Sequence, residues 1–253
     1  MFLRQGKAAL RALGLREPML RFRSSGYRLE VAAAGELVRN VSNLGFERIK
    51  RKYDQRVQQS ADGLKYLNLE WHAREVAHEA RRVGALGAPR MRVLDLGPGT
   101  GLFLHLLSLC GHDVLALDVD NNPVFNDMIA LLAISRIIHC IQAFQPLPPM
   151  REAFGRITAF SICFNRHVGG AVWGIQEWAY FFDDCLARLR PGGSLFLNFN
   201  PGKEASFRFL PDPVAVWVRR LPGAYLSRSK ETLVYHADGA RCGRSQKSSA
   251  CCG

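Results

Sequence analysis

The sequence predicts an α/β fold: a mostly parallel sheet with helices on both faces, preceded by a helical extension at the N-terminus. Three observations point to it. Val93, Leu94 and Leu96 make a short apolar run suited to a strand buried on both faces; Gly97, Gly99 and Gly101 interrupt it, and residues 102–110 resume as an apolar helix. Residues 111–120 supply a second strand that ends in Asp118. From there to residue 201, short apolar runs alternate with helical periods, the pattern of βαβ units.

The elements follow in order. Residues 1–28 hold Arg4, Lys7, Arg11, Arg16, Arg21, Arg23 and Arg28 against the single acid Glu17, which predicts a solvated basic extension; a mitochondrial presequence or a membrane-surface helix are the alternatives. Residues 27–44 mix small and aliphatic side chains and fit helix or strand. Residues 46–59 carry the basic run Lys50, Arg51, Lys52, then Tyr53 and Asp54. Over residues 64–86, Leu64, Leu67, Trp71, Val76 and Val83 recur near helical spacing, so this stretch predicts an amphipathic helix whose aromatic neighbours Tyr53, Tyr66 and Trp71 either pack on the sheet or reach a substrate. Gly84, Gly87 and Pro89 end it.

After Asp118, Asn121 and Asn122 with Pro123 start a helix to about Ile134, because Asn caps and Pro is tolerated in a first turn. Residues 137–141 predict a third strand and 154–167 a fourth, ending in the polar cluster Cys163, Asn165, Arg166 and His167. Residues 173–193 predict a helix closed by Arg190-Pro191-Gly192-Gly193, and 194–201 a fifth strand. Residues 203–220 supply a helix and 232–236 a sixth strand, while 238–253 read as a polar, disordered tail. The expected organisation is a basic extension over 1–52, one catalytic domain over 53–237, and the tail.

Composition narrows the function classes. The 253 residues are 48% hydrophobic and 22% charged, ordinary for a globular protein. The net charge of +12 is unevenly spread: +9 over residues 1–90, −2 over 91–200 and +5 over 201–253. A slightly acidic core with basic flanks argues against a cleft built for nucleic acid. The seven cysteines show no CxxC and no histidine spaced to complete a zinc site, so no metal is expected. Ala250 stands where a prenylation box needs cysteine. No apolar run reaches the roughly 18 residues that span a bilayer, and no signal-peptide core is visible, which predicts a cytoplasmic protein, with the mitochondrial matrix as the alternative.

The glycine turn carries the chemistry. A dinucleotide fold needs GxGxxG, and its third glycine position is Leu102 here, which weakens a pyrophosphate reading. Asp95, two residues before Gly97, would repel phosphate and attract a cation. These residues, DLGPGTG with Asp118 ending the next strand, resemble the first motif and second acid of the class I S-adenosylmethionine (SAM) methyltransferases. The stretches ITAFSICFN, WGIQEW, LRPGG and NFNP resemble a group of poorly characterised bacterial members; the resemblance covers roughly residues 53–201.

The resemblance implies a Rossmann-like class I sheet, ending in a helix and an antiparallel strand pair, and SAM as cofactor. It implies that Asp95, Gly97, Gly99 and Gly101 lie beside the methionine part and ribose, and that Asp118 holds the ribose hydroxyls. Two departures stand out. The adenine-binding position is often acidic in the family, whereas the chain offers Gln142 to hydrogen-bond adenine and Phe144 to pack on it. The tetrapeptide that ends the fourth strand in many nucleic-acid and protein amino-methyltransferases is Asn or Asp, Pro, Pro, aromatic; here it is CFNR. Cys163 is therefore expected to be a packed thiol, not a nucleophile.

The expected activity is methyl transfer to a small-molecule or biosynthetic acceptor. The alternatives are an RNA or protein methyltransferase guided by the basic flanks, and a non-catalytic SAM-binding partner domain. His167 is the candidate to take a proton from a hydroxyl acceptor. Asn165, Arg166 and Trp173 are expected to form the acceptor pocket, with Phe164, Trp173 and Trp178 as its apolar walls.

Overall fold

The computed structural model describes residues 26–57, 66–151, 153–167, 169–199 and 210–239. The basic extension up to residue 25, the first part of the helix expected over 203–220 and the tail from residue 240 lie outside the described residues. In chain order the elements are α1 (Gly26–Asn43), α2 (Phe46–Val57), α3 (Leu69–Arg82), β1 (Arg92–Leu96), α4 (Leu102–Leu109), β2 (Asp113–Asp118), α5 (Pro123–Leu131), β3 (Arg136–Ile138), β4 (Phe154–Ile162), α6 (Ile175–Ala187), β5 (Leu189–Phe199), α7 (Asp212–Val218), β6 (Ala224–Leu226) and β7 (Thr232–His236). The strands make one seven-stranded sheet in the order β3-β2-β1-β4-β5-β7-β6. The β2–β3, β1–β4 and β4–β5 pairings are parallel, and β7 runs antiparallel to β5 and β6. The mostly parallel α/β sheet expected from the sequence is therefore present.

The chain divides into two compact units. The first holds α1 to α3 together with α4, β2, α5 and β3. Its helical part is built on small residues: Ala33, Leu37 and Val41 of α1 and Ala73, Ala77 and Ala80 of α3 are all inaccessible to solvent, and alanine lets the two helices approach closely. Glu30 ties them further, accepting hydrogen bonds from Arg81 and, at 3.3 Å, pairing with His78. Asn68 caps α3, its Oδ1 accepting from the Trp71 N–H at 3.0 Å. Of the expected apolar face, Leu67, Val76 and Val83 are buried, while Trp71 is 44% exposed and the alanines that the spacing passed over are buried as well.

Helix α2 spans residue 52, where the extension was expected to end, and is tied to α5. The Tyr53 hydroxyl donates to Asp127 Oδ2 at 2.8 Å and Lys52 Nζ lies 2.6 Å from the same oxygen. Tyr53 is thus a packed, hydrogen-bonded residue, and Tyr66 packs edge-on against Phe125 with ring centroids 4.9 Å apart. Helix α5 starts as the sequence implies: Asn122 Oδ1 accepts from Val124 N at 3.0 Å and Phe125 N at 3.3 Å, with Pro123 in the first turn.

The second unit holds β1, β4, β5, β6 and β7 with α6 and α7. Its core is aromatic. Trp178 contacts Trp173, Phe181, Phe182 and Phe199 at centroid distances of 5.3 to 5.7 Å, and Phe182 stacks on Trp217. Helix α6 ends at Ala187, and the Arg190 to Gly193 segment expected to close it belongs to β5. The register shows how. Phe154 pairs with Leu189 and Arg156 with Ser194, so two residues of β4 face five of β5 and the excess loops out as a bulge. Gly193 is required there, since a Cβ would lie 2.9 Å from Arg190 O and 3.1 Å from Phe154 O. The seventh strand, which the sequence hides, is the three-residue β6 at the sheet edge, too short to show alternation. Among the described residues no helix is long and apolar enough to cross a membrane.

Candidate functional site

The chain leaves β1 through three left-handed glycines, Gly97 at φ 77°, Gly99 at 56° and Gly101 at 76°. Their surroundings differ. A Cβ on Gly101 would stand 2.6 Å from Ile129 Cδ1, so that glycine lets α5 close against the start of α4. A Cβ on Gly99 would meet the Phe125 ring at 3.8 Å, and one on Gly97 would meet nothing within 4 Å. Gly101 caps α4 without any side-chain hydrogen bond, leaving the first N–H groups of that helix to other partners.

Asp118 ends β2 half-buried. Its Oδ1 accepts from the Val119 N–H at 2.8 Å, and the Gly99 N–H donates to the same carboxylate. Burial pushes the Asp118 carboxyl above the usual carboxylate range, against the pull of those N–H groups and of Arg136. The structure thus brings Gly99 and Asp118 together. Asp95 is 1% exposed and accepts from Thr158 Oγ1 at 2.7 Å, its in-register partner on β4. It is a buried, hydrogen-bonded acid and not an open one.

Gln142 and Phe144 share a turn in which Gln145 N donates to Gln142 O at 3.3 Å. Both are exposed; Phe144 has φ 60° and meets Tyr180 edge-on at 6.0 Å. Cavities of about 630 and 500 Å³ open along α1, α2 and α3 and one of about 380 Å³ between α2 and α5, and none of the three is lined by residues 97–101 or by Asp118.

Beyond β4 the chain folds back on itself. Trp173 N donates to Asn165 O at 3.0 Å, Arg166 bridges Val172, and His167 N donates to Ala171 O at 2.9 Å. His167 Nε2 lies 3.2 Å from Glu177 Oε1, and Glu177 Oε2 accepts from Gly174 N at 3.0 Å. Glu177 therefore caps α6 and orients the imidazole at once. Its carboxyl is held below the ordinary range, first by its own backbone N–H, then by His167 and Gly174. Sequence reasoning missed Glu177; its signal is a glutamate three residues after Gly174 at a helix start.

Asn165 is buried and Arg166 half-buried. Trp173 and Trp178 are fully buried, so they form the core beneath this loop; of the three expected walls only Phe164 is partly exposed. Cys163 is exposed, contrary to the packed thiol expected, because it follows the last β4 residue. The buried thiols are Cys110, which burial pushes up to about 11, and Cys185, which it raises well above the ordinary thiol range.

No protein-family model matches the sequence, and no curated protein matches it. Among solved structures, the chain is similar to the glycopeptide N-methyltransferase MtfA complexed with SAM, at 15% identity over 62% of this chain and 91% of that one, with a TM-score of 0.42. It is also similar to the 16S rRNA N2 G1207 methyltransferase RsmC of T. thermophilus, at 22% identity, 64% and 42% coverage and a TM-score of 0.41. A third is the CcbJ methyltransferase of Streptomyces caelestis, at 20% identity and a TM-score of 0.39, of whose length the match spans half.

Proposed function

We propose that the chain is a SAM-dependent methyltransferase acting on a small-molecule or biosynthetic acceptor. One observation carries this reading: a half-buried carboxylate, Asp118, meets the backbone of a left-handed glycine turn at Gly99, where a ribose would find paired acceptors beside backbone it can approach closely. The residues fit the group, since the space at Gly97 is open and Asp118 keeps acceptor capacity beyond its backbone bonds. In this reading Gly97, Gly99 and Gly101 flank the methionine part and ribose, Asp118 binds the ribose hydroxyls, and Gln142 and Phe144 contact adenine. Asp95 fixes the end of β1 through Thr158. SAM, when bound, supplies a methyl group on a sulfonium, whose transfer is an in-line displacement.

The protein's share is alignment and exclusion of water. Asn165 and Arg166 belong to the acceptor side, with Trp173 in the core beneath them. For a hydroxyl acceptor, His167 takes the proton on Nδ1, while Nε2–H is donated to Glu177. The net charge of −2 over residues 91–200 supports an uncharged acceptor over a phosphate-rich one. The catalytic domain in this proposal extends the expected 53–237 back to Phe46, since α2 crosses residue 52 and is tied to α5, and its location is the cytoplasm, where thiols such as Cys110 and Cys185 stay reduced.

Calorimetry with SAM and S-adenosylhomocysteine on the folded protein tests the reading, which fails if neither ligand binds. Incorporation of labelled methyl groups into total RNA, total protein and small-molecule extract tests the acceptor. Label in RNA alone, falling steeply with salt, would transfer the role to the exposed cations of α2, Arg48, Arg51 and Lys52.

A further inference from the structure

The second unit carries a charge arrangement that methyl transfer does not use. At the N-terminal ends of its parallel strands stand Arg92 on β1, Arg156 on β4 and Arg190 at the head of β5. Arg92 lies over the Phe154 ring, its guanidinium carbon 5.0 Å from the centroid. Arg156 is partly buried, its Nε is enclosed without a hydrogen-bond partner, and neither it nor Arg190 forms an ion pair with any described carboxylate. A guanidinium withdrawn from water normally comes with a counter-charge, and here its charged neighbour is another arginine. Asp238 stands beside the bulge, but its Oδ1 is engaged by the Gly192 N–H at 3.2 Å and it pairs with neither arginine. Arg156, Ser194 and His236 occupy one in-register row across β4, β5 and β7, which adds a hydroxyl and an imidazole to the donors on that face.

We propose that Arg156 and Arg190 form a second ligand site, which takes a phosphate group at the strand ends opposite those leading to Asp95 and Asn165. Arginine is suited to this ligand because its planar fork presents two parallel N–H donors to two oxyanion oxygens. The bulge in β5 sets the two arginines at different depths: Arg190 lies in its extra residues and is exposed, while Arg156 is in register with Ser194 and partly buried. A bound phosphate supplies the counter-charge that Arg156 lacks among the described residues and offsets the repulsion from Arg190. The phosphate belongs either to a free small ligand or to a nucleic-acid backbone.

The test measures binding of inorganic phosphate by calorimetry, and its effect on the melting temperature, at constant ionic strength with chloride as the reference anion. The full-length protein is compared with R156M and R190Q. The expected result is phosphate binding that chloride does not reproduce, weakened at least tenfold in either variant. R190Q alters an exposed side chain and carries the test if R156M fails to fold. Equal phosphate response in the wild type and R190Q, or no phosphate-specific response in the wild type, overturns the site. Competition by a short RNA oligonucleotide assigns the phosphate to a nucleic-acid backbone; displacement by phosphate monoesters alone assigns it to a small ligand.

Discussion

Two glycine-rich turns, one after β1 and one at the head of β5, look alike in sequence and do opposite things. Gly97 has a left-handed backbone and nothing within 4 Å of where a Cβ would be. Gly193 lacks that backbone conformation, yet a Cβ there would press on three carbonyl oxygens, those of Arg190, Phe154 and Gly155. The first glycine keeps space empty; the second lets backbone fill it. A glycine that closes on backbone marks packing, whereas open space, which Gly45, Gly84 and Gly111 also have, marks a ligand's approach only beside binding groups.

The comparison can be tested from both sides. Gly193→Ala is expected to have the largest effect, a loss of about 3 kcal/mol of stability from forced backbone displacement, read by chemical denaturation. SAM affinity per folded molecule should be unchanged; a large affinity loss in fully folded protein would tie the second turn to the ligand after all. Asp118→Ala should weaken SAM by about 1.5 to 3 kcal/mol, the range for a lost hydrogen bond to a charged group, with the fold retained. An unchanged Kd in calorimetry would remove Asp118 from the site.

The same carboxylate gives a pH test. Its folded-state pKa is raised above 3.8, so the folded state holds the proton more tightly and the ionised form costs stability. That cost is absent below pH 3.8 and sets in as pH rises through the raised value. Asp118→Asn should therefore raise the apoprotein's melting temperature at pH 7, and the gain should shrink as pH is lowered towards 4. Gly97→Ala comes next, with about 1 kcal/mol of conformational strain but at least a tenfold loss of SAM affinity. A folded Gly97→Ala protein with full affinity would mean the open space is not the ligand's. Removing residues 1–25 should have the smallest effect, under about 0.5 kcal/mol on SAM affinity by calorimetry.

What the sequence made legible was local. The strand, glycine turn and helix of residues 92–109, the Asp118 position and the Asn122 cap are each fixed by neighbours in the chain, and all are found where the pattern puts them. What it hid depended on distant partners. On α3 a pattern weighs large apolar residues and so includes the exposed Trp71 beside the buried Val76, whereas close helix packing also selects Ala73, Ala77 and Ala80. The Arg190 to Gly193 segment has the composition of a helix stop, and only its pairing with β4 makes it a bulge. Trp173 and Trp178 suited a pocket wall equally well until the rest of the aromatic core, including Phe199 and Tyr235, was in place around them. The His167 and Glu177 pair needed the fold-back from Asn165 to Trp173 to bring it within 3.2 Å.

The contrast between shielded and open sulfurs makes part of this molecule addressable by covalent chemistry. Cys110 and Cys185 are enclosed and hold their protons, so a maleimide dye at neutral pH should pass them by and attach to Cys140 and Cys163 among the described residues. With Cys140, Cys242, Cys251 and Cys252 changed to serine, a fluorophore on Cys163 would sit two residues from Asn165. Its emission would then report acceptor binding in real time and allow compound libraries to be screened without a radiolabel.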